Sequence, residues 1–268
     1  MSEESTAGRI TPYEVVFGVS GFAEREFPAI DEEANRVDAQ GLRRDQFAGL
    51  ESAGGALAQL VPDEAEPGAL DYFLAILFHC FNFWKAGHRI YAFEAPVLCD
   101  LVDAPPPLED WEPVVPNSSF YAEMPHNLFW SAVSEGQPPE PLEGFFVDVS
   151  RNSRSLEVDV LLVLGMRSDR PGFGVVGATI DLAQIGELDE PDAFKSEIPG
   201  ADLAGLYSIQ RSSEIGILLL RLLWYIEAHP ESLELVEGGT SRLRETGRTM
   251  PTALGHHRVS LTAEGNRG

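Results

Sequence analysis

The sequence predicts an α+β protein: a helical N-terminal part, then an antiparallel β-meander of about five strands covered by a long apolar helix. Three observations predict this fold. Apolar residues recur at helical spacing through the first hundred residues, the pattern changes to that of strands from residue 119, and an apolar helical stretch follows the strands. Hydrophobic residues make up 44% of the 268 residues, so the chain can bury a sizeable core.

Helices in the first part are predicted at about 28–39, 43–60 and 69–86. The last is the clearest, because apolar residues fall at i, i+3, i+4, i+7, i+11 and i+14 on one face and further apolar residues lie on the other. We therefore expect protein on most sides of this helix, with His79 as a hydrogen-bonded core histidine. The residues of the first face are Leu70, Phe73, Leu74, Leu77, Phe81 and Trp84.

Composition divides the chain into four regions. Residues 1–103 form a helical N-terminal region, and residues 104–118 form a Pro-rich linker, since the run Pro105-Pro106-Pro107 cannot continue a helix. Residues 119–237 hold the sheet and the apolar helix. Residues 238–268 form a basic, irregular C-terminal tail.

Short segments rich in aromatic and β-branched residues predict the strands, and turn residues separate them. Because short turns join antiparallel neighbours, this order implies a meander rather than a parallel sheet. The apolar helix is expected at about 213–228, and residues 257–261 are a possible last strand. The five strands are expected at 120–124, 128–133, 144–149, 156–164 and 174–182.

The run from Gly172 to Gly177 has the spelling Gly-x-Gly-x-x-Gly of a dinucleotide-binding loop. Such a loop must follow a strand directly and open a helix whose N-terminus holds the pyrophosphate. Here the run follows a Pro-Gly turn and leads into Val175, Val176 and Thr179, which favour a strand. We interpret it as a turn and a strand, and we expect no cofactor.

Glu123 and His126 are the candidate catalytic residues. They stand three residues apart at a strand turn, and a carboxylate beside an imidazole can act as base and orienter. Tyr121 and Trp130 would then line the pocket. The alternative is a hairpin turn with a solvated His126 and a rim carboxylate. No third potential metal ligand lies at a spacing typical of a metal site, so we expect no bound metal.

Three further residues interrupt apolar runs. Cys80 and Cys99 are expected to behave as small buried residues. Arg221 lies within the run Leu218–Leu223, so it must find an acidic partner or reach the surface by its aliphatic stem. We favour a structural ion pair for Arg221 over an anion site.

Charge is strongly negative, with 43 acidic residues against 19 basic ones and a formal net charge of −24 at pH 7. Residues 238–268 contribute +3, so the residues before them carry −27. Such a body stays in solution and repels nucleic acids and anionic membranes. The N-terminal residues lack the basic and apolar stretches of a signal peptide, and the most apolar stretch, 215–226, is too short to cross a membrane, so we expect a soluble, cytoplasmic protein. Its expected partners are proteins or a second copy of itself, with no membrane, and with nucleic acid only through residues 238–268.

The basic tail holds the candidate partner-binding residues. The tail could fold back onto the acidic body as an intramolecular strap, reach a polyanion or acidic partner, or remain disordered. No aromatic residues interleave with the basic ones for base stacking. The candidate residues are Arg242, Arg244, Arg248, His257 and Arg258.

Residues 119–261 resemble a group of phage and prophage proteins in the order of their elements. That order is an aromatic strand pair, further strands, an apolar helix, an Arg-rich stretch and a final strand beginning with His. The group has no known activity, so the resemblance implies element order and no function. The matching residues are Tyr121-Ala122-Glu123-Met124-Pro125, Arg242-Leu243-Arg244-Glu245-Thr246-Gly247-Arg248 and His257-Arg258-Val259.

The leading functional hypothesis is a non-enzymatic cytoplasmic binding or accessory protein that acts through protein contacts. It rests on the acidic surface, on Trp111 and Trp130 as exposed aromatic residues, and on the missing catalytic motifs. Two alternatives stay open. One is a hydrolase-like enzyme with its site near Glu123 and His126, and the other is an acidic nucleic-acid mimic or nucleic-acid-linked protein.

Overall fold

A computed structural model describes the chain at residues 21–37, 42–62, 65, 68–108, 111–114, 118–131, 139–151, 154–165, 172–181, 185, 193–195, 206–237 and 254–261. The chain divides into two compact units, residues 1–88 with 236–256 and residues 89–235 with 257–268. No helix in these described ranges is both long enough and apolar enough to cross a bilayer.

Helices build the described part of the first unit, which confirms the predicted helical N-terminal part. They are α1 (Phe22–Val37), α2 (Arg44–Ala48), α3 (Glu51–Leu60) and α4 (Ala69–Lys85). The segment predicted as one helix over 43–60 is two helices, because the chain turns at Gly49 and Leu50. There the N–H groups of Gly49 and Leu50 donate to the carbonyls of Gln46 and Phe47 and close the end of α2.

Phenylalanine rings fill the core of this unit. Phe27 of α1 meets Phe81 of α4 edge-on, with ring centroids 5.7 Å apart and planes at 89°. Phe47 of α2 meets Phe78 of α4 with centroids 5.4 Å apart. All four rings are buried, and each contributes about 1.5–3 kcal/mol by leaving water. The edge-to-face geometry adds a favourable electrostatic contact.

Helix α4 is buried around most of its circumference, as its sequence predicts. Every residue from Ala75 to Phe81 is buried, and His79 among them is fully buried. Cys80 is buried as well. Cys99 is only partly buried, so the expectation for the cysteines is right for one of the two.

A carboxylate from α1 caps α3. The Glu33 carboxylate accepts hydrogen bonds from the N–H of Glu51 at 2.9 Å and from the N–H of Ser52 at 2.8 Å. The Ser52 hydroxyl donates to the same carboxylate at 2.5 Å. The first N–H groups of a helix lack partners within the helix, so an anion here satisfies them and opposes the positive end of the helix dipole.

Strands and two helices build the second unit. The strands pair into a mixed sheet of nine within the described ranges, in the order β6-β5-β4-β2-β1-β9-β8. Off this path, β3 pairs with β4, and β7 pairs with β3. A short 3₁₀ turn, Pro230–Ser232, precedes β8. The elements are β1 (Ile90–Phe93), α5 (Ala95–Asp103), β2 (Ser119–Glu123), β3 (Phe129–Ser131), β4 (Glu140–Arg151), β5 (Ser155–Leu164), β6 (Gly172–Asp181), β7 (Tyr207–Ile209), α6 (Ser212–Ala228), β8 (Leu233–Val236) and β9 (His256–Val259).

The predicted meander is present, because β4, β5 and β6 are joined in sequence as antiparallel neighbours. The prediction of an antiparallel sheet of about five strands is nevertheless wrong for the whole sheet. Strand β1 is parallel to both β2 and β9. These parallel pairs join segments that are distant in sequence. Turn residues predict only pairs of strands joined by a short turn, so they could not predict these pairs. Strand β4 also begins at Glu140, four residues before the strand expected at 144–149.

Helix α6 confirms the apolar helix predicted at 213–228. It spans Ser212–Ala228, and most of its residues are buried, among them Leu218, Leu219 and Leu222 at 0% exposure. It packs against β6 and β7. That α6 covers a whole face of the sheet stays a prediction. The division of the chain at residues 104–118 also stays a prediction, while β1 and α5 fall in the same unit as the later strands.

Arg221 is fully buried in α6. Its Nη1 donates to the Leu101 carbonyl at 3.0 Å. Its guanidinium lies 5.5 Å from the centroid of the Phe194 ring, close enough for a cation–π contact. The arginine is therefore held by a carbonyl of α5 and by an aromatic face inside the core, rather than reaching the surface by its stem.

Candidate functional site

The candidate catalytic residues lie where β2 ends and the chain turns toward β3. Glu123 is the last residue of β2, and His126 lies in the turn. Asn127 adopts a positive φ of 63°, a conformation that asparagine tolerates better than most residues. The N–H of Leu128 donates to the Pro125 carbonyl at 3.2 Å, which closes the turn. This turn holds the imidazole beside β4.

His126 pairs with a carboxylate on β4. Its Nδ1 lies 2.9 Å from Oε1 of Glu143. The His126 side chain is 28% exposed and that of Glu143 is 12% exposed, so the pair is shielded on the protein side and open on the other. Since a carboxylate accepts, Nδ1 carries the proton and Nε2 is the nitrogen available for chemistry in the neutral ring.

The backbone of Glu143 is tied to β2 as well. Its carbonyl accepts from the N–H of Met124 at 3.0 Å and from the Tyr121 hydroxyl at 3.5 Å. Glu123 stands opposite Gly144 in the antiparallel register of β2 and β4. This register places Glu143 beside the end of β2, where its carboxylate contacts the His126 imidazole.

Tyr121 sits among these acidic groups with 2% of its surface exposed. Burial raises the pKa of its hydroxyl well above the ordinary value, and the charges of Glu123 and Glu143 raise the pKa further. The phenol therefore stays protonated and serves as a hydrogen-bond donor. The group that can move a proton here is the His126 imidazole, which the Glu143 carboxylate orients.

The sequence predicted Glu123 and His126 as site residues and missed Glu143, which directly precedes the strand expected at 144–149. The missing signal is the pairing of β2 with β4, since it places Glu143 beside the turn. Trp130 is half-buried, and its Nε1–H donates to the Asn127 carbonyl at 3.2 Å, so it braces the turn. Among the described residues, no three His, Cys, Asp or Glu side chains group closely enough to hold a metal ion.

Two of the tail residues lie in the sheet. His257 is in β9, where its Nε2 lies 3.0 Å from Nη1 of Arg89 and its ring stacks on Tyr91 with centroids 5.4 Å apart. Burial lowers the pKa of His257, and the positive charge of Arg89 lowers it further. Arg258, the next residue, pairs at 3.1 Å with Glu234 of β8. Arg242, Arg244 and Arg248 lie outside the described residues.

Trp111 does not present the exposed aromatic surface that was expected. It is partly buried against the core of the second unit, and its Nε1–H donates to Glu227 at 3.0 Å. Burial raises the pKa of Glu227, although hydrogen bonds from Trp111 and from the Val114 backbone oppose this shift. Trp111 therefore packs within the second unit, whereas Trp130 stays partly exposed beside the turn.

One edge of the sheet is long and uncharged. Strand β6 pairs with β5 alone among the described strands. Its ten residues carry no charged side chain before Asp181, and Val175 is 38% exposed. The Gly-x-Gly-x-x-Gly run lies inside this strand, as expected for a turn and strand rather than a helix-opening loop.

The opposite edge is short and charged. Strand β8 has four residues, and one of them is Glu234, which pairs with Arg258. Proteins usually protect edge strands by short length and charged side chains, because an exposed edge offers unpaired N–H and C=O groups to other chains. Strand β8 follows this rule and β6 does not.

The described elements define an α+β protein with a mixed sheet and a helical N-terminal unit. Among solved structures, one that is similar to this chain is the crystal structure of AcrVA2, at 12% sequence identity and a TM-score of 0.48. The match covers 92% of this chain and 82% of that chain. No protein-family model matches the sequence, and no curated protein matches it significantly.

Proposed function

We propose that this chain is a non-enzymatic cytoplasmic binding or accessory protein that acts through protein contacts. The observation that carries the proposal is the β6 edge. It is ten residues long, uncharged from Gly172 to Ile180, and paired on one side only among the described strands. An added strand gains main-chain hydrogen bonds along such an edge, which is a common way for proteins to bind one another.

The side chains of β6 also suit a contact. Val175, Gly177 and Thr179 are exposed on one face, while Val176 on the other face is partly packed against the core. A bound strand would cover Val175 and complete the burial of Val176. Gly174 and Gly177 flank the two valines, and glycine in a strand allows another backbone to approach closely.

A capture experiment with matched edge variants tests the proposal. The tagged chain, Val175→Asp and Leu235→Asp would each be incubated with extract of the native host, and the retained proteins identified and their affinities measured with purified components. Leu235 is the control, because it is 65% exposed on the other edge strand, β8. We expect Val175→Asp to lose the retained protein and Leu235→Asp to keep it. Equal retention by both variants would refute β6 as the contact.

The His126–Glu143 pair supports a second candidate function, a hydrolase-like activity. An imidazole whose Nδ1 is fixed by a carboxylate at 2.9 Å can take a proton at Nε2 from water or from a nucleophile. A panel of ester and peptide substrates tests it, with His126→Ala and Glu143→Gln as inactive variants and Glu140→Gln as the control on the same strand. Turnover that all three variants retain would exclude this site.

A further inference from the structure

We propose that the strand that occupies β6 is β6 of a second copy of this chain. The inference rests on the proposed function and names the partner at the same edge. The two strands would run antiparallel about a two-fold axis that passes near Val176. Each copy would then present the same edge, as a two-fold interface requires, and the two sheets would join into one.

Residue sizes along β6 match in this register. With Val176 opposite itself, Val175 lies opposite the partner's Gly177, and Phe173 lies opposite the partner's Thr179. Residues opposite each other in an antiparallel pair share one face of the sheet. A larger side chain therefore stands over a smaller residue at each of these positions. Aromatic and β-branched residues that lie opposite each other, as Phe173 and the partner's Thr179 would, stabilise an antiparallel pair.

Charge permits a second copy at this edge. A chain with a net charge of −24 repels its own copies over most of its surface. In the proposed register the two Asp181 carboxylates lie at opposite ends of the joined strands, about 34 Å apart at 3.4 Å per residue. That separation is several times the screening length of about 8 Å at physiological salt. The uncharged length of β6 therefore lets two copies meet at low electrostatic cost.

The next charges inward are also well separated. Asp159 stands on β5 opposite Gly177. Three strand spacings separate the two copies of Asp159, which is at least about 14 Å across the joined sheet. Screening at physiological salt weakens repulsion over that distance. By contrast, β8 carries Glu234 in its centre, and two copies of β8 would set like charges close together.

Sedimentation velocity over a range of protein concentrations tests the inference with the full chain. We expect the wild type and Leu235→Asp to form dimers, and Val175→Asp to shift to monomer with its dimer dissociation constant raised at least tenfold. The carboxylates that Val175→Asp introduces in the two copies would lie about 8 Å apart on neighbouring strands, so raising the salt concentration should partly restore the dimer of this variant.

If Val175→Asp fails to fold, amide hydrogen exchange of the wild type provides an independent test. In the wild type, amides of residues 174–180 should gain protection as the concentration rises through the dimer transition, while amides of β8 should not change. A wild type that is monomeric at every concentration, or a Leu235→Asp variant that dissociates like Val175→Asp, would overturn the inference. If the wild type is monomeric but a different protein is captured through Val175, the proposed function stands and only the second copy is excluded.

Discussion

The Tyr121 ring lies so close to the backbone of Gly144 that a side chain at position 144 would overlap its hydroxyl. A Cβ on Gly144 would also lie 2.5 Å from the Ala122 carbonyl oxygen. This close approach lets β4 carry Glu143 beside the turn that holds His126. We expect Gly144→Ala to lower the free energy of unfolding of the second unit by about 1–3 kcal/mol, the usual cost of overpacking, as measured by urea denaturation.

The control for this variant is Gly216→Ala in helix α6 of the same unit. A Cβ there would meet only the Ile180 Cδ1 at 4.0 Å, an ordinary contact. Alanine in a helix interior is favoured over glycine by roughly 0.5–1 kcal/mol, so this variant should be more stable than the wild type. Equal effects of the two substitutions would show that Tyr121 and Gly144 do not approach as described.

Arg221 should contribute to stability through its carbonyl bond and its packing rather than through charge alone. Arg221→Ala removes the donor to Leu101 and opens a cavity beside Phe194, so we expect a loss of about 2–5 kcal/mol in the free energy of unfolding. Arg221→Met keeps most of the volume and should lose less. Thermal and urea denaturation followed by circular dichroism provide the measurement, and an Arg221→Met variant as unstable as Arg221→Ala would contradict the packing role.

Glu33 should make the helical unit less stable in acid. Hydrogen bonds from the Ser52 side chain, the Ser52 N–H and the Glu51 N–H lower the pKa of Glu33 below its ordinary value, chiefly the side-chain bond. A lowered pKa in the folded state means that the stabilisation is present above pH 4.5, the ordinary value, and is lost as pH falls through the folded-state pKa.

The test compares Glu33→Gln with the wild type from pH 7 to pH 3. The variant should be less stable at pH 7, and the difference should shrink as Glu33 of the wild type becomes protonated. Glu32→Gln is the control, since Glu32 is a mostly exposed neighbour on α1 that pairs with Arg36. A difference in the free energy of unfolding between Glu33→Gln and the wild type that stays constant from pH 7 to pH 3 would contradict the capping role of Glu33.

The pKa of His257 should lie below the ordinary value of a histidine, because the ring is partly buried and the positive charge of Arg89 is close to it. The neutral ring is favoured in the folded protein, so its contribution to stability is present above about pH 6.5 and is lost as pH falls through the lower folded-state pKa. NMR titration of the imidazole measures this directly. Arg89→Gln should raise the pKa of His257 by removing the nearby cation.

Arg258→Gln is the matched control for this titration, because Arg258 lies on the same strand but pairs with Glu234. It should change the pKa of His257 less than Arg89→Gln does. A His257 pKa that Arg89→Gln leaves unchanged would mean that burial alone sets it.

Local patterns in the sequence were enough to predict that the first unit is helical and that antiparallel neighbours follow one another in the chain from β4 to β6. Strand β5 alternates between buried and partly exposed residues over Leu156–Val160, and this alternation marks a strand. Strand β1 escaped prediction because all four of its residues are buried, so no alternation exists. Its four residues, Ile90–Phe93, lie within residues 1–103, the region predicted to be helical.

The candidate site was predictable only in part for a related reason. His126 and Glu123 belong to one short segment and could be paired by inspection. Glu143 joins His126 across 17 residues through the register of β2 and β4. Register depends on which strands pair, and one sequence read in short windows does not carry that information. The parallel pairing of β9 with β1 could not be predicted for the same reason.

The place of β9 in the sheet has a consequence for how the protein is made. His257 meets Arg89 across 168 residues of sequence, and at roughly 5–20 residues per second the ribosome needs about 8–35 s to synthesise that interval. During this time the wholly apolar strand Ile90–Phe93 lacks its β9 neighbour. The nascent chain therefore passes through a state with an open apolar edge, which is the state that holding chaperones recognise and in which aggregation competes with folding.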